Sequence, residues 1–440
     1  MNISRSQSPA RATAKVSGSG EPPAPEHPTR RGLVRAAAGL AAAAGAGLGA
    51  RRAAARGEAS PAIPPLPGTA AIEPFWGTHQ AGITTPPQIH TYAAAFDLVA
   101  PTRDETIAML RAWTAASARL AEGMAAAPDS GETMRLSPAR LTLTFGFGAG
   151  VFVKDGKDRY GLATQRPPGL VDLPAFAGDD LIEARTGGDL SVQACADDPQ
   201  IAFHAVRQLA RIARGGAELR WAQPGFIPVS GGRQRPRNLM GFKDGTANPP
   251  THDSAAMAEV VWVGDEGPDW MRGGSYVVFR RIRMALEHWD RIPLDFQERT
   301  FGRYKASGAP LGGRHEFDAP DLQARGEDGD PVIPESAHIR LAGAANNDGA
   351  RILRRAYSYN DGVNVTTERW PPWHRGLEYD AGLLFVCYQR DPRSGFIRIF
   401  DKLAKYDMLG QFVTHTGGGL FACPGGVAPG EFIGQPLFGA

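Results

Sequence analysis

The stretch GFKDGTANP, residues 241 to 249, places one carboxylate in a short loop between two glycines and an Asn-Pro pair. Glycine permits a positive φ, asparagine bonds its own backbone, and proline stops a helix, so the loop is expected to be tight. Two interpretations of Asp244 stay open. It is an ordinary turn residue, or it is a carboxylate held rigidly beside a reacting group, where it can move a proton.

Two further segments carry groups that would complete such a site. His338 lies in IPESAHIRLAG, and it is either a structural histidine or a metal ligand. RILRRAYSY places Arg354 and Arg355 next to each other on an extended segment. Adjacent side chains of a strand point to opposite faces, so one arginine faces inward and needs an anion or a dipole to stabilise it. The pattern does not say which one.

A haem pocket is one hypothesis that accounts for these groups together. An iron ion takes an imidazole such as that of His338 on one side, and a carboxylate such as Asp244 can move the proton of peroxide on the other. A guanidinium stabilises the charge that develops as the O–O bond breaks. Because the three groups are far apart in the sequence, their spacing alone does not show that they converge.

Composition limits the classes of function. The 440 residues suffice for two or three domains, and 42% hydrophobic and 21% charged residues are typical of a globular protein. The formal net charge of +2 gives no support for nucleic acid or an anionic membrane as a partner. The three cysteines, at 195, 387 and 423, form no CxxC motif, which argues against zinc, iron–sulfur and covalent c-type haem sites.

The first 70 residues differ from the rest of the chain. Residues 1 to 28 have no hydrophobic period and are predicted to be disordered. The pair Arg30-Arg31 precedes a weakly apolar run, Ala36 to Ala50, which is too short for a bilayer core of about 30 Å. This pattern predicts a Tat-type export signal, and a basic disordered tail is the alternative. The Tat route carries folded proteins, which favours a protein that is loaded with a cofactor before export.

The remaining chain is predicted to form two domains, residues 71 to 250 and 251 to 440. In the first, strands and helices alternate as β-α-β-β-α-β, with a capping box at Thr102 and Glu105 before the first helix. The second repeats this order, with a helix broken at Pro293 and a polar loop at 307 to 330. The sequence therefore predicts an α+β fold with two ferredoxin-like domains packed sheet to sheet.

Several segments resemble the dye-decolourising peroxidase family. GFKDGTAN looks like its GxxDG signature, while HIRLAG and RILRRAYSY look like its axial-histidine and distal-arginine segments, in the expected order. Residues 79 to 98, 187 to 211 and 382 to 391 closely resemble the exported deferrochelatase/peroxidase subgroup, which is associated with bacterial iron-uptake systems. The resemblance extends from Phe75 to the C-terminus.

The resemblance implies one non-covalent haem b per chain, held in the C-terminal half near the domain interface. It implies oxidation of bulky aromatic or dye-like donors by H2O2, with a role in releasing iron from haem; the alternative is a haem-binding iron-supply protein whose peroxidase activity is incidental. The implied partners are H2O2, an aromatic or porphyrin substrate, the Tat machinery and other iron-uptake components, with no nucleic acid. The implied location is periplasmic or extracellular, and a homo-oligomer is compatible with this.

The resemblance also implies roles for individual residues. Asp244 would be the distal acid–base group, Arg354 the distal arginine with Arg355 as the alternative, and His338 the proximal iron ligand. Asn248 and Arg340 would line the pocket, with Arg340 near a propionate.

Three kinds of supporting residue are expected around them. Leu383 and Phe385 would form an apolar wall on the distal side. Asp391 would accept a hydrogen bond from the axial imidazole, with helix capping as its alternative role. Trp373 or Tyr388, at the surface, would relay electrons from bulky donors, with packing as the alternative.

Overall fold

The computed structural model describes residues 71 to 129, 131 to 134, 136 to 228, 235 to 367 and 375 to 439. The predicted leader at 1 to 70 and Trp373 lie outside these ranges, so both stay predictions, as does the division of the chain at residue 250. Within the described ranges, no helix is long and apolar enough to cross a membrane.

The N-terminal half forms the predicted β-α-β-β-α-β unit. The Thr102 hydroxyl accepts a hydrogen bond from the Glu105 N–H at 3.2 Å, and the Glu105 carboxylate accepts one from the Thr102 N–H at 3.1 Å, which confirms the capping box. The strand order is β2-β3-β1-β4, and all neighbours are antiparallel. The elements are β1 (His90–Leu98), α1 (Arg103–Ala121), β2 (Thr142–Phe147), β3 (Leu190–Ala196), α2 (Pro199–Ile212) and β4 (Ala217–Phe226).

The C-terminal half repeats the plan with the order β9-β5-β8-β7. The helix predicted around Pro293 is indeed broken there, and the last strand is longer than expected. The elements are α3 (Ser254–Val260), β5 (Ser275–Met284), α4 (Leu286–Trp289), α5 (Leu294–Phe301), α6 (His338–Ala342), β6 (Leu353–Arg354), β7 (Tyr357–Thr367), β8 (Arg375–Gln389), α7 (Phe396–Tyr406) and β9 (Val413–Cys423).

The two sheets pack face to face and also meet at their edges. One edge pairs β2 with β9 through Phe147 and Ala422, and the other pairs β4 with β7 through Phe226 and Ser358. Between the sheets lies a buried apolar cluster that includes Ala93, Ala95, Trp221, Val277, Phe279, Val386 and Phe421. The predicted α+β fold of two ferredoxin-like units packed sheet to sheet is confirmed.

Tyr388 lies in this interior and is not a surface residue. Its side chain is fully buried, and its hydroxyl donates to Gln193 Oε1 at 2.7 Å, which links β8 to β3 across the interface. Burial raises the pKa of Tyr388 well above its ordinary value. The surface position predicted for Tyr388 is therefore wrong, and packing is the role that its contacts support.

The outer face of the C-terminal sheet carries the side chains that matter for the site. Residues of β5, β8 and β9 whose side chains point away from the intersheet interior, among them Ile282, Leu383 and His415, line a cavity together with residues of α6 and α7. Since successive strand residues alternate between faces, the intersheet core and the cavity wall are built from the same three strands.

Tyr388→Phe tests the polar link between the sheets. The substitution removes the hydroxyl and leaves Gln193 Oε1 buried without that donor, so we expect the free energy of unfolding to fall by about 1–3 kcal/mol. Chemical denaturation measures the change. Tyr406→Phe is the matched control, because Tyr406 is 65% exposed and its hydroxyl can bond water. An equal loss in both variants would contradict the role of the intersheet hydrogen bond.

Candidate active site

A cavity of about 870 Å³ lies between the outer face of the C-terminal sheet and helices α6 and α7. Its polar lining includes Asp244, Arg303, His338, Arg354 and Asp407, and Ala177 and Gly178 of the N-terminal half also contribute to the wall. Most of the wall is apolar: Met240, Phe242, Ile282, Met284, Phe301, Leu383, Phe385, Phe396, Ile399, Phe400, Leu403, Leu409 and Val413. Leu383 and Phe385 thus lie on the apolar wall, and their place on the distal side stays a prediction.

The 241–248 loop is anchored on both sides of its carboxylate. Gly241 and Gly245 have φ of +86° and +80°, the left-handed conformation that glycine favours. Phe242 is buried and stacks on Phe301 with ring centroids 3.9 Å apart. Glu316 accepts hydrogen bonds from Lys243 Nζ at 2.6 Å and from Thr246 Oγ1 at 3.0 Å. The backbone around Asp244 therefore has little freedom to move.

Asp244 is at once a turn residue and part of the cavity wall. Its Oδ1 accepts a hydrogen bond from the Gly245 N–H at 2.6 Å, as a turn aspartate does. The same oxygen lies 3.7 Å from Nη2 of Arg354, and the side chains of the two residues are 25% and 23% exposed. The two interpretations of the sequence are thus compatible, because the turn is what holds the carboxylate beside the guanidinium.

Asn248 ties this loop to the strand that carries Arg354. Its Nδ2 donates to the Arg354 carbonyl at 2.7 Å, and its Oδ1 accepts from the Arg354 N–H at 3.1 Å. Contrary to the prediction, Asn248 is not among the residues that line the cavity, and both ends of its short amide are bonded to backbone groups. Its contacts are instead those of a residue that fixes the position of Arg354 relative to Asp244.

The structure separates the two adjacent arginines. Arg354 lines the cavity, whereas Arg355 is 4% exposed and points to the opposite side of the strand. There its guanidinium donates to the Thr85 carbonyl and to Gln88 Oε1. Arg355 thus has a structural environment, and Arg354 is the arginine that the cavity contains.

His338 is the first residue of α6, and its imidazole is oriented by Asp407. Its Nδ1 lies 2.6 Å from Asp407 Oδ2, while Asp407 Oδ1 accepts the Leu409 N–H at 2.9 Å. Because a carboxylate accepts hydrogen bonds, Nδ1 carries the hydrogen and Nε2 keeps its lone pair. This is the tautomer that can bind a metal ion through Nε2.

The prediction that Asp391 accepts the hydrogen bond of His338 is wrong. Asp391 follows β8, accepts the Arg393 N–H at 2.8 Å and forms an ion pair with the Arg393 guanidinium at 2.6 Å. It therefore stabilises its own turn, and it does not line the cavity. Asp407 follows α7, which packs on α6, so it is the carboxylate that reaches the imidazole.

Arg340 also differs from the prediction, because it does not line the cavity. Its guanidinium donates to the carbonyls of Ile333 at 2.7 Å and Leu322 at 2.9 Å. Residues two apart in a helix point in nearly opposite directions, so α6 cannot turn both His338 and Arg340 into the cavity. Arg340 holds the preceding loop against the helix instead.

Arg303 is a cavity residue that sequence reasoning missed. Its Nη1 donates to the carbonyls of Gly308 at 2.7 Å and Glu316 at 3.0 Å. Burial lowers the pKa of Arg303; the Glu316 carboxylate opposes this shift, and the positive charge of Arg354 adds to it. In the sequence Arg303 follows the glycine that ends a helix, a place where an exposed arginine is common, so no local signal marked it.

The residues around the cavity fit a haem group. The apolar wall suits a porphyrin ring, and a single imidazole with a free Nε2 lone pair suits its iron. The guanidinium groups of Arg303 and Arg354 supply positive charge where carboxylates or an anionic reactant can bind. Together with Asp244, these are the groups that haem-dependent peroxide chemistry needs.

Comparison with known proteins gives the same result. Residues 80–227 match the family model for the N-terminal domain of Dyp-type peroxidases, and residues 235–428 match the model for the C-terminal domain. The chain is 39% identical over 383 residues to a Dye-decolorizing peroxidase from Thermobifida fusca, covering 81% of this chain and 83% of the relative. It is 38% identical over 384 residues to a Deferrochelatase from Escherichia coli, covering 83% of this chain and 87% of the relative.

Solved structures agree with these matches. Ferric DtpA from Streptomyces lividans is 40% identical, with a TM-score of 0.78 and coverage of 86% of this chain and 100% of that one. A DyP-type peroxidase from Streptomyces coelicolor is 41% identical with a TM-score of 0.78, and it covers 84% of this chain and 98% of its own. The predicted family resemblance is confirmed: this chain belongs to the Dyp-type peroxidases and is a haem-dependent enzyme.

Proposed function

We propose that the protein uses H2O2 to oxidise bulky aromatic donors, with Asp244 as the acid–base group and Arg354 as the charge-stabilising group. The observation that carries this proposal is the 3.7 Å separation of Asp244 Oδ1 and Arg354 Nη2 on the wall of a cavity that His338 also lines. Haem, when bound through His338, supplies the redox-active iron.

Asp244 and Arg354 have different roles in the cleavage of peroxide. The Asp244 carboxylate takes the proton from one peroxide oxygen and returns it to the other, which then leaves as water. Arg354 stabilises the negative charge that develops as the O–O bond breaks. The anchors on Lys243, Thr246 and the Arg354 backbone keep both groups in place, so little reorganisation is needed during the step.

A role in releasing iron from haem is a second part of the proposal. The 38% identity to a protein named Deferrochelatase supports it. The alternative, a haem-binding iron-supply protein with incidental peroxidase activity, is less favoured, because binding alone gives no reason for an anchored Asp244 next to Arg354.

We also propose that the protein is exported by the Tat machinery and works in the periplasm or outside the cell, with other iron-uptake components as partners. The support for export is the Arg30-Arg31 pair before the weakly apolar run. Replacing both arginines by lysine is expected to retain the protein in the cytoplasm, as measured by cell fractionation. Unchanged export of the double variant would contradict a Tat signal.

Asp244→Asn tests the acid–base role. The substitution keeps the size of the side chain and removes its ability to take up a proton, so we expect the second-order rate constant with H2O2 to fall by about 10²–10⁴-fold. Haem content should remain that of the wild type. Asp253→Asn is the matched control, since Asp253 is an exposed helix cap outside the cavity. Full turnover in Asp244→Asn, measured by stopped-flow absorbance, would overturn the assignment.

Asn248→Ala tests whether the link between the loop and Arg354 positions the reacting groups. Without the amide, the Arg354 backbone loses both hydrogen bonds to the loop, and a misplaced guanidinium is expected to cost on the order of 10²-fold in the H2O2 rate constant. Haem binding should persist, because His338 and the apolar wall are untouched. Asn364→Ala, at an exposed position on β7, is the control. A wild-type rate in Asn248→Ala would show that the link is dispensable.

A further inference from the structure

A second set of polar residues lies where Ala177 and Gly178 of the N-terminal half join the cavity wall. His415 on β9 is 7% exposed and forms part of the cavity wall. The guanidinium of Arg280, itself 2% exposed, donates from Nε to His415 Nδ1 at 3.1 Å and forms an ion pair with Asp179. Asp179 follows directly on Ala177 and Gly178, which also line the cavity.

The contact with Arg280 fixes which nitrogen of His415 carries the hydrogen. A guanidinium has only donors, so Nδ1 of His415 must be the acceptor of this bond. The hydrogen of the neutral imidazole is then on Nε2, which has no hydrogen-bond partner among the described residues of the chain. His415 therefore offers one unused N–H donor at the cavity wall.

The surroundings of His415 favour the neutral imidazole. Burial, and to a lesser degree the positive charge of Arg280, lowers the pKa of His415 to about 3. The ring is held by packing as well, because the His415 and Phe400 ring centroids are 4.6 Å apart. Arg280 in turn lies over the rings of Phe176 and Phe400, at 5.7 Å and 5.4 Å from their centroids.

Such an environment suits a carboxylate on the cavity side of the ring. The acceptor would receive the Nε2 hydrogen, and the buried positive charge of Arg280, which hydrogen-bonds to the same imidazole, would stabilise its negative charge. A hydrogen bond from a neutral donor to a charged acceptor avoids burying a second cation. Haem carries two propionates, and some aromatic donors carry carboxylates, so this chemistry has two sources.

We propose that His415, oriented by Arg280 and Asp179, donates its Nε2 hydrogen to a carboxylate bound in the cavity, and that this carboxylate is a propionate of the porphyrin. The inference rests on haem as the occupant of the cavity. It makes His415 a binding residue and makes Arg280 and Asp179 its positioning residues.

The test compares haem with haem dimethyl ester, in which both propionates are esterified. Apoprotein of the full chain is titrated with each compound, and binding is followed by absorbance. His415→Asn keeps an oxygen near the Nδ1 position for Arg280 but removes the donor at Nε2. We expect it to weaken the binding of haem on the order of tenfold and to leave the binding of the ester unchanged. His415→Gln places an amide donor near the Nε2 position and should restore much of the affinity.

His315→Asn is the matched control, because His315 is exposed and does not line the cavity. Thermal unfolding of every variant shows whether the fold persists, and His415→Gln keeps the proposal testable if His415→Asn is unstable. Wild-type binding of haem is measured first. If the wild type does not bind haem, the haem assignment itself is overturned. The results for the His415 variants, in contrast, can overturn only the role of His415.

Each remaining outcome decides the question. Equal weakening for haem and its ester would overturn the proposal, since the effect would then be structural and not a bond to a carboxylate. A second measurement tests the other source of the carboxylate. If His415→Asn binds haem as the wild type does, its KM is measured for a carboxylated phenol and for the methyl ester of that phenol. A KM raised for the acid alone would assign the hydrogen bond to the substrate and overturn the assignment to a propionate. No effect in either measurement would overturn the role of His415 altogether.

Discussion

The two hydrogen bonds between the Asn248 amide and the Arg354 backbone are the interaction on which the site depends most. They join a loop of the chain to a strand more than a hundred residues later, and so they fix the distance between a carboxylate and a guanidinium that belong to different elements. Glu316 and Phe242 hold the other side of the same loop. The glycines are needed because this path of the backbone requires positive φ at two positions.

The arrangement of the two sheets explains where the chemistry takes place. Their inner faces pack against each other. Polar groups there, such as Arg355 and Tyr388, therefore form hydrogen bonds that hold the two halves together. The outer face of the C-terminal sheet is free to form a cavity with two helices. Arg354 and Arg355 are adjacent in sequence, yet strand alternation assigns one to the cavity and the other to the interior.

The order of the strands and helices could be predicted because its signals are local: a capping box, alternating apolar residues, and glycine or proline at the ends of elements. Asp244, Arg354 and His338 could be named from the motifs that resemble the family. The partner of His338 could not be predicted, because it depends on how the end of α7 packs against α6. Asp391 is the residue predicted, and nothing in the sequence near Asp407 marks it as the partner, which only tertiary packing brings to the imidazole.

The most direct test of the account is the absorption spectrum of the protein supplied with haem, for the wild type and for His338→Ala. His288→Ala serves as the control, because His288 is exposed and lies outside the cavity. We expect a Soret band in the wild type and in the control, and its loss or strong alteration in His338→Ala. A wild type without a Soret band, or a His338→Ala spectrum identical to that of the wild type, would contradict the assignment of this cavity as a haem site ligated by His338.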